Sequence, residues 1–199
     1  MKNKIQIIGV LGGSGALGSG LSYRLGKEGY QVLIGSRNQE KASKKVNEIN
    51  QRLNHEKVSV ESNYLAAEKS DLIILAVPFS NHGAIVKEIA PVVQNKIVLD
   101  TTVPLVPPKV ARVQLPKYGS VAKKTQELLG NEVRVVSAFQ NVAAIHLNGD
   151  DDLSGEVLVF GNNKDAREII IGLIEQIGMK GWHAGSIDNS VVAESLTSV

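Results

Sequence analysis

A doubly wound parallel α/β sheet with a small C-terminal α/β extension is the fold this sequence predicts. Short apolar runs alternate with helical, outwardly charged runs through the first hundred residues, as strands and covering helices do. A glycine-rich turn separates the first apolar run from the first helical one. Apolar residues make up 43% of the chain but aromatics only 4%, so Val, Ile, Leu, Ala and Gly must fill the core. That bias suits helices covering both faces of a parallel sheet.

The elements follow in order. Residues 4–11 (KIQIIGVL) read as a buried strand and residues 12–18 as the glycine-rich turn. A helix over 16–28 ends near Gly29, and 30–34 is the second strand. Residues 38–53 are helical, and 58–60 form a short strand. Residues 71–77 (DLIILAV) are continuously apolar, as a central parallel strand should be. A helix over 81–90 and a strand over 96–100 complete this half, and right-handed crossovers are the default for such units.

After Thr101 the rhythm changes. Pro104, Pro107, Pro108 and Pro116 forbid a regular helix, so 103–118 reads as an extended loop, and a loop of that length is usually functional or mobile. Helix resumes over 120–129. Strands over 133–137 and 156–160, a helix over 164–177, a strand over 179–184 and a last helix from about 189 follow. The division expected is a nucleotide-binding domain over 1–137 and a smaller C-terminal portion over 138–199.

Composition excludes several function classes. The chain has no cysteine, so disulfides, thiolate catalysis and Cys-based zinc sites are out. Its net charge of +2 gives no basis for nucleic-acid binding. Met1-Lys2-Asn3-Lys4 runs straight into the first strand without a secretory leader, and no apolar run is long enough to cross a bilayer. A cytoplasmic protein without membrane contact is expected. His55, His82, His146 and His183 are scattered without metal-ligand spacing, and Asp150-Asp151-Asp152 lacks the spaced ligands of a calcium loop, so no metal site is expected.

Gly13-Ser14-Gly15-Ala16-Leu17-Gly18 is G-x-G-x-x-G. The pattern alone is weak, but here it closes a strand and opens a helix, the context of a dinucleotide-binding Rossmann fold. Gly13 is assigned the tight turn, Gly15 the close approach of a pyrophosphate, and Gly18 the packing of helix on strand. The helix N-terminus offers free N–H groups and the positive end of its dipole.

The second strand ends in Gly35-Ser36-Arg37, where NAD-binding domains usually place an Asp or Glu for the ribose 2′-OH. Ser36 can donate a hydrogen bond to a 2′-phosphate, Arg37 offers a charged planar fork, and Lys41 lies one helical turn on. NADP(H) is therefore the expected dinucleotide.

The segments GVLGGSGALGSGLSYRLGKEGYQVLIGSR, AVPFSNH, DTTVPLVPP, VVSAFQNVAA and AGSIDNSVVAESLTSV together resemble the NADPH-dependent coenzyme F420 reductases, over essentially the whole chain. The Rossmann half alone also resembles pyrroline-carboxylate reductases and the cytosolic domain of membrane metalloreductases. The resemblance implies a small, homodimeric oxidoreductase that transfers a hydride between NADP(H) and the 5-deazaflavin coenzyme F420. It implies cofactor contacts at Ser14, Ala16, Leu17, Ser36, Arg37 and Lys41, at Val77, Pro78 and Asn81, and at Asn141, Val142, Ala143 and Ala144 near the nicotinamide. Two departures stand out. Gln140-Asn141-Val142-Ala143 replaces a His-Thr-Ile-Pro run, so no catalytic histidine carries over. Related chains also continue past Leu-Thr-Ser-Val through an apolar helix, so part of the deazaflavin site or dimer contact is expected beyond Val199.

Hydride transfer between two bound cofactors needs position and exclusion of water rather than a nucleophile or base, so no catalytic side chain is expected. His82 reads either as a contact to the nicotinamide ribose or as a surface histidine at a helix start, and His146 as structural. Lys109, Arg112, Lys117, Lys123 and Lys124 form either a site for the anionic tail of a deazaflavin or a solvated basic surface. Two other readings compete: an NADPH-dependent reductase of a flavin, imine or ferric chelate, and a non-catalytic NADPH-sensing module.

Overall fold

The computed structural model describes residues 5–199. The predicted strand over 4–11 is seen as β1 (Ile7–Leu11); its first residue, Lys4, lies outside the described residues, as does the reading that 1–4 runs into that strand without a leader. β1, β2 (Gln31–Gly35), β3 (Val58–Glu61), β4 (Leu72–Leu75), β5 (Ile97–Asp100) and β6 (Arg134–Ser137) pair in parallel. β7 (Glu156–Gly161) is antiparallel to β6, and β8 (Lys180–His183) is parallel to β7. The order across the eight-stranded sheet is β3-β2-β1-β4-β5-β6-β7-β8, whose first six strands have the Rossmann arrangement.

Successive residues of β4 divide between the two faces, as strand geometry requires. Leu72 and Ile74 join one core with Ile8, Val10 and Leu99, while Ile73 and Leu75 join the other with Leu11 and Val98. α1 (Ala16–Lys27), α2 (Gln39–Leu53) and α7 (Lys164–Gln176) cover the first face. α4 (Phe79–Ile89) and α5 (Val121–Leu129) cover the second.

Local chemistry sets the helix limits. Asn38, Ser120 and Asn163 each accept a hydrogen bond from an N–H of the first turn of α2, α5 and α7. α2 buries Ala42, Val46 and Ile49, one stripe at i, i+4 and i+7, and stops at Asn54 in left-handed conformation. No strand or helix lies between Asp100 and Val121, in keeping with the prolines there.

Three helices depart from the sequence expectation. α4 begins at Phe79, directly after Pro78, rather than at 81. α3 (Asn63–Lys69) and α6 (Ala144–Asn148) were not expected at all. They have seven and five residues, too short for a helical period to stand out, and packing holds them. Gly9 admits α3, since a Cβ there would lie 2.8 Å from Ser70 Oγ. α8 (Ser190–Leu196) closes the chain.

Candidate functional site

The phosphate loop leaves β1 and turns at Gly12, whose φ of 85° favours glycine and whose absent Cβ would lie 2.4 Å from the Ala76 carbonyl oxygen. The left-handed turn thus falls one residue before the G-x-G-x-x-G run. Gly13 instead makes room for the Ile34 side chain, 2.8 Å from where its Cβ would stand. Gly18 has the packing role read for it, with a Cβ position 2.5 Å from the Gly12 carbonyl oxygen. Gly15 is different: a Cβ there would meet only the Gly12 carbonyl oxygen, at 3.2 Å, and otherwise faces open space.

Gly15 is also the N-cap of α1. No side chain caps that helix, and no acidic residue lies in its first turn. Its N–H groups and positive dipole end therefore face the loop's cleft without an internal anion.

A cleft of about 330 Å³ runs from this loop along the ends of β2 and β4. Its walls hold Ser14, Gly15, Ser36, Arg37, Lys41, Val77, Pro78 and Asn81, eight of the residues named from the sequence. Gly12, Gly35, Asn38, Asn63, Ala76 and Ile85 line it as well, and sequence reasoning did not find these. Asn38 had a local signal as the cap of α2, through Lys41 N–H to its Oδ1 at 2.9 Å. Ser36 Oγ is 3.1 Å from both the Asn38 N–H and the Asn38 carbonyl oxygen, which fixes the turn that presents Arg37. No carboxylate lines the cleft. Glu40, the nearest in sequence, pairs with Lys44 at 2.7 Å. Ala16, Leu17, Gly13 and Gly18 belong to the loop and first turn without forming the cleft wall.

The sequence-predicted segment 141–144 borders a second cavity of about 500 Å³. Asn141 and Val142 line it with Phe139, Gln140, Leu158, Ala193 and Leu196, so the loop after β6 and the C-terminal helix share one concavity. Ala143 and Ala144 stand beside it at the start of α6. The chain enters this loop through Phe139, whose φ of 72° is left-handed, a conformation that costs a non-glycine residue roughly 1–3 kcal/mol and concentrates at functional sites. Thr197 Oγ1 donates to the Gln140 carbonyl oxygen at 3.0 Å and ties α8 to the loop.

Beneath the strand ends lies a buried polar network. His82 is not at the surface and lines neither cavity: it is fully buried, with Nε2 2.8 Å from Asp100 Oδ2. Thr125 Oγ1 donates to the same carboxylate at 2.6 Å, and the Thr102 N–H donates to its other oxygen at 2.9 Å. Burial alone would raise the Asp100 carboxyl, but the charge of His82 and hydrogen bonds from His82, Thr125 and Thr102 outweigh it and hold it below the ordinary range. Thr101 and Thr102 are buried as floor and line neither cleft.

The basic cluster divides. Lys123 is paired with Asp188 at 2.7 Å, and Lys124 lies 5.8 Å from the centre of the Phe79 ring. Lys109, Arg112 and Lys117 are exposed on the proline-rich loop. Asp150 of the acidic tract accepts hydrogen bonds from Tyr23 and Arg52, so that turn is anchored rather than merely solvated.

A carboxylate-free cleft on a Rossmann sheet, with an uncapped helix at one end and Ser36, Arg37 and Lys41 at the other, defines a nucleotide-dependent oxidoreductase of the NADP-binding class. The family profile described as NADP oxidoreductase coenzyme F420-dependent matches residues 7–104. The chain is 34% identical to the F420-dependent NADP reductase of Methanocaldococcus jannaschii, over 96% of this chain and 88% of that one. It is 31% identical to the enzyme of the same name from Methanothermobacter thermautotrophicus, over 99% and 88%. The chain belongs to this F420-dependent NADP oxidoreductase family. A crystal structure of a candidate F420-dependent NADP reductase from Arthrobacter sp. FB24 shares the fold, with a TM-score of 0.77 and 24% identity over 95% of this chain and 89% of that one.

Proposed function

We infer that this chain is an oxidoreductase that carries a hydride between NADP(H) and coenzyme F420. The observation that carries the reading is a pair of spaces, one at the ends of β2 and β4 and one at the loop that follows β6. One is the carboxylate-free cleft from Gly15 to Lys41; the other is the cavity between Val142 and Leu196. Family membership supports the choice of acceptor.

In this reading the N–H groups of Ser14, Ala16 and Leu17 at the start of α1 bind the pyrophosphate, while Gly15, whose own N–H donates to the Gly12 carbonyl oxygen at 2.9 Å, lets it approach. Ser36, Arg37 and Lys41 hold the 2′-phosphate, since a planar guanidinium and an ammonium match a doubly charged oxyanion. Val77, Pro78 and Asn81 border the ribose and the nicotinamide. Asn141, Val142, Ala143 and Ala144 set the ring plane from the opposite side. Residues 138–199 complete the acceptor side, with α8 as its outer wall. When bound, the nicotinamide supplies or accepts the hydride. The protein's own contribution is to hold the two reacting carbons about 3–3.5 Å apart and keep water out.

Among the described residues no helix is long and apolar enough to cross a membrane. We read the protein as cytoplasmic, without a nucleic-acid partner, and as a homodimer. The exposed Leu158, Val192 and Leu196 beside the acceptor cavity supply an apolar surface for a second copy. The test of function is spectroscopic: purified protein with NADP⁺ and reduced F420, followed at the visible deazaflavin band. Turnover with F420 and none with flavin mononucleotide is expected. Turnover with flavin mononucleotide and none with F420 would reassign the acceptor.

A further inference from the structure

The side chain of Arg24 is out of place for an ordinary surface helix. It lies on α1, two turns from the phosphate loop, and is only 4% exposed. Among the described residues no carboxylate lies within ion-pair distance of it. Its Nε donates to the Leu147 carbonyl oxygen at 3.1 Å. Its Nη2 reaches the carbonyl oxygens of His146 at 3.2 Å, Gly149 at 2.7 Å and Asp151 at 2.9 Å. These carbonyls belong to the last turn of α6 and the bend after it. The guanidinium is thus satisfied by carbonyl oxygens of the last turn of α6 and the bend after it rather than by a direct ion pair, with the charge of Asp150 in that bend close enough to act on it. Burying a charge this way is costly unless every contact is made, so Arg24 holds residues 146–151 in one arrangement.

Three further contacts lock α6 to α1. Asn148 Nδ2 donates to the Ala16 carbonyl oxygen at 2.8 Å, and Ser19 Oγ donates to Asn148 Oδ1 at 3.1 Å. Gly20 lets the helices meet, since a Cβ there would lie 2.6 Å from Leu147 Cβ. One end of this assembly is the helix that takes the pyrophosphate. The other continues directly from residues 141–144.

We propose that Arg24 is a positioning residue for hydride transfer: by clamping α6 onto the phosphate-binding helix, it fixes the nicotinamide-side loop at a set distance from the pyrophosphate. The proposal rests on the placement of the nicotinamide against residues 141–144 given above. Arg24 touches neither the phosphate cleft nor the acceptor cavity. Its loss should therefore leave the phosphate anchor intact while the ring loses its stop.

The test compares Arg24→Met, Arg24→Lys and Gly20→Ala with the parent protein. NADPH affinity is read by calorimetry. Hydride transfer to F420 is read in single turnover, with NADPH deuterated on one or the other face of C4. Arg24→Met should bind NADPH within about threefold of the parent, because the helix N-terminus is untouched. Its transfer rate should fall roughly 100-fold, the scale of a 1 Å misplacement, and transfer should leak to the second face of C4. Arg24→Lys, with a single flexible ammonium in place of the fork, should fall between. Gly20→Ala reaches the same joint without touching Arg24. Alanine favours the helix, but its methyl pushes α6 away, so this variant should fold and show the same split. If Arg24→Met does not fold, Arg24→Lys and Gly20→Ala decide. Parental rate and single-face transfer in the folded variants would overturn the proposal, as would equal losses in affinity and rate. Ala143→Trp separates the two levels of inference. If it retains full turnover, the nicotinamide placement itself fails. If it blocks turnover while Arg24→Met does not, only the role of Arg24 fails.

Discussion

Glu194 Oε2 accepts a hydrogen bond from the Val121 backbone N–H at 2.7 Å, so the C-terminal helix caps the helix that follows the proline-rich loop. Its other oxygen accepts from the Ala122 N–H at 3.1 Å, and the residue is 1% exposed. Burial, helped by the nearby charge of Asp100, pushes the Glu194 carboxyl up to about 7 against the pull of the Val121, Ala122 and Ser190 hydrogen bonds.

A pH dependence follows. A folded pKa raised above the ordinary value of 4.5 means that the folded state binds the proton more tightly. The resulting stability is complete below the ordinary value and is lost as pH rises through about 7. The loss is on the order of 3 kcal/mol. Asp100 acts in a separate window: its carboxyl is held below the ordinary 3.8, so its contribution disappears only as pH falls below that value. Thermal melts should show the midpoint falling between pH 5 and 8, a span of about three units chosen to bracket the Glu194 titration. Glu194→Gln should flatten that slope; an unchanged slope would remove Glu194 as its source.

The 2′-phosphate assignment predicts a selective defect. Arg37→Ala should weaken NADPH binding by about 1.5–3 kcal/mol, the range for a charged hydrogen bond, and leave NADH almost untouched. Isothermal titration with both nucleotides checks this. Equal losses would mean that Arg37 serves some purpose other than reading the 2′-phosphate.

Gly15→Val should leave the chain folded and abolish dinucleotide binding. Gly15 has φ −82° and ψ 170°, which valine adopts readily, and the new side chain faces the open cleft. It would stand where the pyrophosphate approaches the helix. Circular dichroism should match the parent while calorimetry shows no NADPH signal; retained affinity would give the loop another role.

Ala143→Trp tests the acceptor side. Ala143 is exposed beside the cavity that Val142 and Leu196 share. An indole there should obstruct stacking and cut F420 reduction roughly 100-fold, while NADPH still binds through its phosphates. Parental turnover would place both the nicotinamide and the acceptor away from residues 141–144.

How much of this was legible in the sequence depends on the reach of each signal. The phosphate loop and the Ser36-Arg37-Lys41 set are local: a strand end, a turn and one helical turn contain them, and the cleft brings them together. The turn residue within the loop was misplaced by one, because three glycines lie within residues 12–15 and only backbone geometry tells Gly12 from Gly13. α3 and α6 escaped notice because each is shorter than the period that reveals a helix.

The sequence by itself determined the alternation of elements, the doubly wound sheet, the dinucleotide turn and the absence of an acid at the ribose position, but not that β7 runs antiparallel to β6. Each is written in hydrophobic period, glycine spacing or the identity of one short segment. Tertiary structure alone decided which partners His82, Arg24 and Glu194 take. His82 finds Asp100 and Thr125 across 18 and 43 residues, Arg24 finds Leu147 across 123, and Glu194 finds Val121 across 73. No local pattern encodes such pairs. A buried polar group must be satisfied by whatever donor or acceptor the packed chain brings beside it, and only the fold sets that neighbour.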